Sequence, residues 1–405
     1  MSIHAALGEH LAHRAMDQAV TDLIARAAAV PGLASRLERA GIDPASVRSV
    51  ADLSALPVLS KDDLVAEQAS APPFGGLLAP DADVQRVFQS PGPLYEPQLE
   101  SPDYWRWGQV FRHLGVGSQD TAINCFGYHL SPAGAMMEEG LRSTGAAVLP
   151  AGIGNQDLQA RAIADLGVSA YSGLPSYLKA LIDRFDELGL PSQAWQLTRA
   201  MVTAEPLPDS LREALTARVP SVCMAYGTGE TGLLAHEVGD GSGLVLAEGV
   251  LVQVCEIGTG TPIEDETEGE VVVTVLRPDY PLVRFGTGDL SGWMLGPDGS
   301  LRLRGVLGRT GSAVKVKGMF LHPAQIASVM SRISTVADHR FVIGRTDHLD
   351  TLRCEVIPAP GSDTDAVVRE VSERVREGLR FKAEVVAVEQ LTAGDGPIID
   401  TRVWD

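Results

Sequence analysis

Between residues 120 and 300, short strand-like runs alternate with amphipathic stretches of helical spacing. The runs lie at 146–150, 169–173, 200–204 and 222–226, with predicted helices at 175–189 and 208–217. Strands that alternate with helices form parallel or mixed sheets covered on both faces. The run at 267–276 and the region 300–305 are predicted to be antiparallel. The sequence therefore predicts an α/β fold class, with mixed sheets and helices in one large N-terminal domain.

The two ends of the chain differ from this central part. Residues 5–40 carry apolar side chains at helical spacing. Near the C-terminus, strand-like runs flank predicted helices at 323–332 and 364–379, which is an α+β pattern. We therefore expect an N-terminal domain over 1–307 and a small C-terminal lid domain over 308–405.

Charge and composition exclude several classes of protein. The chain has 405 residues and a formal net charge of −19, which disfavours binding to nucleic acid or to anionic membranes. No apolar run approaches the length of a membrane span, and the N-terminus has no secretion signal pattern. The four cysteines are far apart, as expected of free thiols in a reducing compartment. We expect a cytoplasmic protein.

The stretch from Pro281 to Ile326 contains two runs with the character of an enzyme motif. The first is P-L-V-R-F-G-T-G-D-L, and the second is G-R-T-G-S-A-V-K-V-K-G-M-F-L-H-P-A-Q-I. Both resemble segments of adenylate-forming enzymes, the second in the version of phenylacetate–CoA ligases. Those enzymes activate a carboxylic acid with ATP and pass the acyl group to coenzyme A. The resemblance implies their fold, with a large α/β domain and a mobile C-terminal lid.

The resemblance also implies a nucleotide site. The run Y-G-T-G-E matches a family segment whose tyrosine lies near adenine and whose glutamate approaches Mg²⁺. The implied cofactors are CoA and AMP or ATP with Mg²⁺. Glu230 is the implied metal ligand and an implied catalytic residue. The implied cofactor-binding residues are Ala204, Glu205 and Pro206 near adenine, Tyr226 and Gly227, Asp289 on the ribose, and Arg309 on ribose or phosphate.

The run at 124–135 resembles the family segment that lines the acyl site. It implies that Phe126, Gly127 and Tyr128 bind the substrate, a small carboxylic acid or its thioester. His129 is predicted to be a catalytic base, or else a hydrogen-bonded residue of the pocket wall. Lys317 is implied to act near pantetheine or phosphate, or else to be a solvated strand charge. The acceptor of the acyl group is CoA, a carrier protein or an amine. We also consider that the protein forms a homodimer.

Three positions depart from the family pattern. Its phosphate loop reads S-S-G-T-T-G-K-P, whereas residues 90–97 read S-P-G-P-L-Y-E-P, so Glu96 replaces the lysine. An anion there is expected to repel a triphosphate. The C-terminal lysine of the family becomes Ile399, which has no charge to stabilise the adenylation transition state. The acidic pair at the hinge becomes Gly311 and Ser312, and glycine permits hinge rotation.

Three functions remain compatible with these residues. In the first, the chain transfers, cyclises or hydrolyses a pre-activated acyl group, and its ability to form adenylates is lost or weak. Alternatively, it is an ATP- and Mg²⁺-dependent acid–CoA ligase with an unorthodox phosphate site. The third alternative is a non-catalytic binding or partner protein. Retention of Glu230, Asp289 and Arg309 favours the first two.

Overall fold

A computed structural model describes residues 2–402 except 91–92, 311–313, 318, 322, 347–348, 380 and 395. The chain divides into two compact units, with the division after Thr310. The first unit comprises Met1–Leu207 and Arg212–Thr310, and the second comprises Pro208–Leu211 and Gly311–Asp405. The hinge expected at residues 311 and 312 lies outside the described residues.

The predicted α/β class is confirmed. The helices are α1 Ile3–His13, α2 Met16–Ala27, α3 Pro31–Arg39, α4 Lys61–Ser70, α5 Gly108–His113, α6 Ala133–Arg142, α7 Gln156–Leu166, α8 Pro175–Glu187, α9 Asp209–Thr216, α10 Pro323–Met330 and α11 Thr364–Gly378. Local sequence explains several starts, since Pro31 and Pro175 begin α3 and α8 without needing a backbone donor. Within the described residues, no helix combines the length and apolar character needed to cross a bilayer.

The strands of the first unit form two large sheets and a hairpin. They are β1 Val84–Ser90, β2 Leu94–Leu99, β3 Thr121–Asn124, β4 Ala147–Pro150, β5 Ala170–Gly173, β6 Arg199–Val202, β7 Ser221–Thr228, β8 Gly232–His236, β9 Leu244–Leu246, β10 Val250–Cys255, β11 Gly269–Val275, β12 Phe285–Ser291, β13 Trp293–Leu295, β14 Leu301–Leu303 and β15 Gly308–Arg309.

The nine-stranded sheet of the first unit positions two of the predicted motifs. Its order is β13-β14-β9-β8-β7-β6-β5-β3-β4, and the strands from β7 to β4 run parallel. Parallel strands end at one edge of the sheet, where ligands of open α/β sheets bind. The segments after β3 and β6, and the end of β7, therefore reach the same edge. Strand β7 continues to Thr228, two residues beyond the predicted run, because it pairs with β8 across a bulge.

A four-stranded antiparallel sheet, in the order β10-β11-β12-β15, carries Asp289 and Arg309. Strands β1 and β2 form a separate hairpin. Two apolar clusters fill the unit, one centred on buried aromatic side chains and one joining α2 and α3 to β10. Trp107 and Trp293 are both 1% exposed, which shows how tightly the larger cluster is enclosed.

The second unit is an α+β structure around its own core. Its strands are β16 Val314–Val316, β17 Met319–Leu321, β18 Val336–Thr346, β19 Leu349–Pro358, β20 Glu384–Ala387 and β21 Ile398–Asp400. The long hairpin of β18 and β19 is extended on either side by parallel strands, giving the order β20-β19-β18-β21. Apolar residues of α10 and α11 pack on this sheet. All four cysteines of the chain are free and buried, as predicted.

Candidate active site

Three predicted cofactor-binding residues of the first unit lie in contact. Asp289 on β12 is directly opposite Arg309 on β15, and the Arg309 Nε lies 2.9 Å from Asp289 Oδ1. The Tyr226 hydroxyl donates to Asp289 Oδ2 over 2.9 Å. Burial, followed by the charge of Asp289, raises the pKa of Tyr226. We call these three residues the nucleoside end, because the family resemblance assigns them to adenine and ribose.

The adenine loop predicted at 204–206 follows β6. Ala204 adopts the left-handed backbone conformation, with φ of 72°, and Pro206 is exposed. Glu205 is buried, and the Ser176 hydroxyl at the start of α8 donates to its carboxylate over 2.5 Å. The loop therefore lies at the carboxyl edge of the parallel strands, with its turn held by a buried side chain.

A lysine that sequence reasoning did not select contacts the predicted metal ligand. The Lys61 Nζ lies 2.6 Å from Glu230 Oε1, and the two side chains are 25% and 7% exposed. Burial tends to raise the pKa of Glu230, but Lys61 outweighs it and holds the pKa below its ordinary value. Burial tends to lower the pKa of Lys61, and Glu230 reverses that direction too. The structure therefore shows a charged pair in a largely enclosed position.

The position of Lys61 follows from its helix start. Lys61 is the first residue of α4, and the Ser60 hydroxyl accepts from the Asp63 backbone while Asp63 bonds back, which is a capping box. Just before it, the Leu59 backbone N–H donates to the Arg284 carbonyl over 2.8 Å. These contacts fix the first turn of α4 against the sheet. In the sequence, Ser60 followed by Asp63 has the pattern of a helix N-cap, but no local pattern specifies a partner for Lys61.

Glu96, the residue in place of the phosphate-loop lysine, points into the protein. It lies on β2, is 4% exposed, and neither carboxylate oxygen has a hydrogen-bond donor in bonding geometry among the described residues. Burial, followed by the charge of Glu230, raises the pKa of Glu96; Ser90 and Lys61 oppose this shift without cancelling it. We call Lys61, Glu96 and Glu230 the phosphate end, after the family loop that Glu96 belongs to.

Because Glu96 is buried, its replacement of the family lysine affects phosphate binding for a different reason from the one expected. From the sequence alone, Glu96 is expected to repel a triphosphate as an anion. A carboxyl group whose pKa is raised by burial carries less negative charge near neutral pH than a solvated one. The larger effect is therefore the loss of the lysine cation, while Lys61 supplies a different cation from another segment.

Because residue 229 is glycine and has no side chain, the Glu96 carboxyl can lie next to it. A Cβ atom built on Gly229 would lie 3.1 and 3.2 Å from the two carboxylate oxygens of Glu96. The related motif carries a hydroxyl residue at this position, so glycine removes one polar contact as well as a side chain. In the structure, the two departures from the family pattern are neighbours.

The predicted acyl-site residues lie after β3 in a loop held by Asn124. The Asn124 side chain is fully buried; its Nδ2 bonds the Tyr128 hydroxyl over 2.7 Å, and its Oδ1 accepts from the Phe126 backbone over 3.2 Å. Phe126 belongs to the apolar core and Tyr128 is half-buried. His129 is exposed, so its assignment as a catalytic base stays a prediction.

Two predicted positions belong to the second unit. Lys317 is exposed, and its backbone N–H donates to Asp350 over 3.1 Å. Ile399 is half-buried on β21, where its side chain lies over Gly394. Both observations describe this unit alone, and the roles suggested for these residues stay predictions.

Comparison with known proteins shows what the chain resembles over most of its length. The phenylacetate–coenzyme A ligase of Aromatoleum evansii is 25% identical over 401 residues, covering 92% of this chain and 90% of that protein. The protein of the same name from Thermus thermophilus is 28% identical over 350 residues, covering 81% of this chain and 77% of that protein. A crystal structure of 2-hydroxyisobutyryl-CoA ligase with 2-HIB-AMP and CoA has the same fold, with a TM-score of 0.86 at 21% identity, covering 96% of this chain and 89% of that one.

The chain is similar to phenylacetate–CoA ligases over most of its length and has the fold of 2-hydroxyisobutyryl-CoA ligase. No family model matches it. The relatives are named ligases, which supports an enzyme of the acyl-CoA ligase type.

The residues of this phenylacetate–CoA ligase-like chain fit a nucleoside better than a metal ion. Each carboxylate oxygen has two lone pairs, so Asp289 can accept two ribose hydroxyls besides its protein donors. Among the described residues, no three His, Cys, Asp or Glu side chains converge on one point. Glu230 would bind Mg²⁺ together with phosphate oxygens, as magnesium sites commonly do, and only if Lys61 left its carboxylate.

Proposed function

We propose that this phenylacetate–CoA ligase-like enzyme acts on the acyl group of a small, planar carboxylic acid that arrives already activated, and that its own adenylation step is weak. In such a reaction, a nucleophile bonds to the acyl carbon, and the bond from that carbon to a thiol sulfur or phosphate oxygen breaks. The nucleophile loses its proton, and the thiol or AMP leaves. The acceptors in view are CoA, a carrier protein, an amine, water or a group within the substrate.

The position of Glu96 is the observation that carries this proposal. Phosphate sites of this kind use backbone N–H groups, hydroxyls and a cation to hold the β- and γ-phosphates. Here the cation is replaced by a buried carboxyl group without hydrogen-bond donors among the described residues. Ile399 removes a second cation, and loss of one such group typically costs roughly 10²–10³ in rate. The nucleoside end is retained, so AMP or an acyl adenylate remains a fitting ligand.

The acyl-site loop supports a small and flat acyl group. Phe126 and Tyr128 are aromatic, Gly127 adds no side chain, and Asn124 fixes the loop through three hydrogen bonds. His129, at the exposed end of this loop, is proposed as the base that takes the proton from the nucleophile. Lys317 is proposed to attract the anionic part of the acceptor.

Isotope exchange between ATP and pyrophosphate tests the proposal. With a panel of aromatic and short aliphatic acids, wild-type exchange should stay near background, while the corresponding acyl-CoA thioesters should be turned over. The double variant Glu96→Lys/Ile399→Lys should raise exchange at least about tenfold, because it restores two cations. Glu100→Lys, on an exposed glutamate beyond β2, is the charge-matched control and should change nothing. Strong wild-type exchange with any acid would refute the proposal.

One observation favours the ATP- and Mg²⁺-dependent ligase as a second candidate. The Lys61 ammonium lies beside Glu230 and acts on Glu96, so the phosphate end retains one cation. Calorimetric titration with ATP, AMP and CoA, each alone, separates the alternatives. Binding of AMP or CoA with little affinity for ATP supports our proposal, and tight binding of ATP supports the ligase. Absence of all three favours a non-catalytic binding protein.

A further inference from the structure

Lys317 of the second unit has a backbone conformation that the rest of the unit must hold in place. It follows directly after β16, and its φ is 51°, in the left-handed region that side chains other than those of asparagine and aspartate rarely adopt. Its own side chain is exposed. Residues in such conformations persist where neighbouring groups fix them, and they are common at functional sites.

Asp350 is the group that fixes the backbone of Lys317. The Lys317 N–H donates to Asp350 Oδ2 over 3.1 Å. Asp350 is the second residue of β19, and its side chain is only 3% exposed. A hydrogen bond to an ionised acceptor is stronger and better directed than one between neutral groups. The exposed lysine is therefore tied to the central hairpin of the unit through a buried carboxylate.

Two arginines from other segments orient this carboxylate. Arg345 lies directly opposite Asp350 in the hairpin of β18 and β19, and its Nη1 is 3.3 Å from Asp350 Oδ1. Arg402 follows β21, and its Nη1 is 3.0 Å from Asp350 Oδ2. Arg402 also pairs with Asp400 over 2.6 Å. The charges of these four side chains cancel, so the group that holds Lys317 adds no net charge of its own beside the ammonium.

A second buried carboxylate on β19 shows what a purely structural ion pair looks like in this unit. Glu355 accepts from the Thr392 backbone and hydroxyl, each over 2.7 Å, and pairs with Arg353 over 2.7 Å. These bonds join parts of the unit to one another, and none of them reaches a residue with a proposed role. Asp350 differs because one of its partners is the backbone of an exposed lysine.

On the basis of the role proposed above for Lys317, we infer that Asp350 is a positioning residue for that lysine. It holds the Lys317 backbone so that the ammonium group samples a restricted volume, in which it attracts the anionic part of the acceptor. Less rotational freedom is then lost when an anion binds, which increases affinity. This arrangement favours an acceptor with phosphate groups, such as CoA, over an amine or water.

Calorimetry with CoA and with pantetheine tests this on the full-length protein, because both carry the same thiol arm and only CoA carries phosphates. Lys317→Met and Asp350→Asn should each weaken CoA binding roughly five- to tenfold at roughly 20 mM salt, and less at 200 mM. Binding of pantetheine should not change. Lys382→Met, on an exposed lysine of the same unit, and Glu355→Gln are the matched controls, and both should leave CoA binding unchanged.

A double-mutant cycle separates positioning from stability. Glycine adopts the left-handed conformation freely, so Lys317→Gly removes the charge together with the need for Asp350. Asp350→Asn should therefore weaken CoA binding in the wild-type background and have no further effect in Lys317→Gly. In the protein without ligand, the Lys317 amide hydrogen should exchange at least about tenfold faster in Asp350→Asn, but not in Glu355→Gln. Asp350→Glu, which keeps the charge but moves the carboxylate by one methylene, replaces Asp350→Asn should that variant not fold.

The outcomes distinguish a failure of this inference from a failure of the role of Lys317. If Lys317→Met leaves CoA binding unchanged, or wild type binds CoA no more tightly than pantetheine, the role of Lys317 is wrong and the inference falls with it. If Lys317→Met weakens CoA binding and Asp350→Asn does not, the role of Lys317 stands and Asp350 does not position it. Equal losses of CoA and pantetheine binding in Asp350→Asn and Glu355→Gln would also overturn the inference, because they would reflect lost stability alone.

Discussion

The nucleoside end and the phosphate end belong to the same unit but are built in opposite ways. At the nucleoside end, Asp289 accepts from Tyr226 on one oxygen and pairs with Arg309 on the other. At the phosphate end, Glu96 is enclosed with no donor in bonding geometry among the described residues, and a lysine from a distant segment neutralises Glu230. The first end keeps the residue types of the family, and the second replaces them with a different balance of charge. Because the altered residues lie at the phosphate end, the nucleoside end remains available for binding a ligand.

The largest effect is expected from removing Lys61. Lys61→Met leaves Glu230 without its counter-ion in a nearly enclosed position, which should lower the free energy of unfolding by about 3 kcal/mol or more. Urea unfolding measures this change. Lys179→Met removes a pair within the exposed face of α8 and should cost no more than about 0.5 kcal/mol. Equal losses in the two variants would mean that the phosphate end does not depend on its lysine.

At the nucleoside end, Asp289→Asn should weaken AMP binding roughly tenfold to a hundredfold. The amide keeps the shape of the side chain but has one acceptor oxygen and no charge, so the bonds to Arg309 and to ribose weaken. Calorimetry with AMP provides the measurement. Asp298→Asn, on an exposed turn beside β14, is the control. Unchanged AMP binding in Asp289→Asn would show that this end does not hold the ribose.

Glu96 should make stability depend on pH. Its folded-state pKa is raised to about 8, so its favourable contribution is complete below the unfolded-state pKa of about 4.3 and is lost as pH rises through about 8. Glu96→Gln should therefore match wild type near pH 4 and exceed its free energy of unfolding by about 2 kcal/mol or more at pH 9. Urea unfolding at several pH values measures the difference, with Glu100→Gln as control. A difference that does not vary with pH would contradict this account.

The smallest effect on stability is expected at His129. Because its side chain is exposed, His129→Ala should change the free energy of unfolding by no more than about 0.5 kcal/mol. A large fall in turnover with unchanged binding and stability would support its proposed role as a base. Unchanged turnover would assign the proton transfer elsewhere.

The grouping of Tyr226, Asp289 and Arg309 could be predicted from the sequence, because these residues lie in short runs with a fixed order. Asp289 and Arg309 face each other across adjacent strands, and Tyr226 ends a strand whose apolar run was visible. The same holds for the alternation of strands and helices, which predicted the parallel part of the large sheet. Periodicity and motif order are local properties, so they can be read without coordinates.

The phosphate end could not be derived in the same way. The contact between Lys61 and Glu230 joins segments far apart in the chain, and no local pattern specifies it. Glu96 lies on β2, where every residue except Tyr95 is buried, so no alternation of burial along the strand marks it as facing inward. Its burial depends on the segments that cover β2, which the loop pattern of the family does not specify.

The contact between Gly229 and Glu96 also couples these two positions in any redesign of the site. A side chain at position 229 would press on both oxygens of the Glu96 carboxyl at 3.1–3.2 Å, closer than ordinary van der Waals contact. Gly229→Ser alone should therefore displace the Glu96 carboxyl, whereas the same change combined with Glu96→Ala should be tolerated. Because the two side chains would share one space, their separate effects on stability should not add.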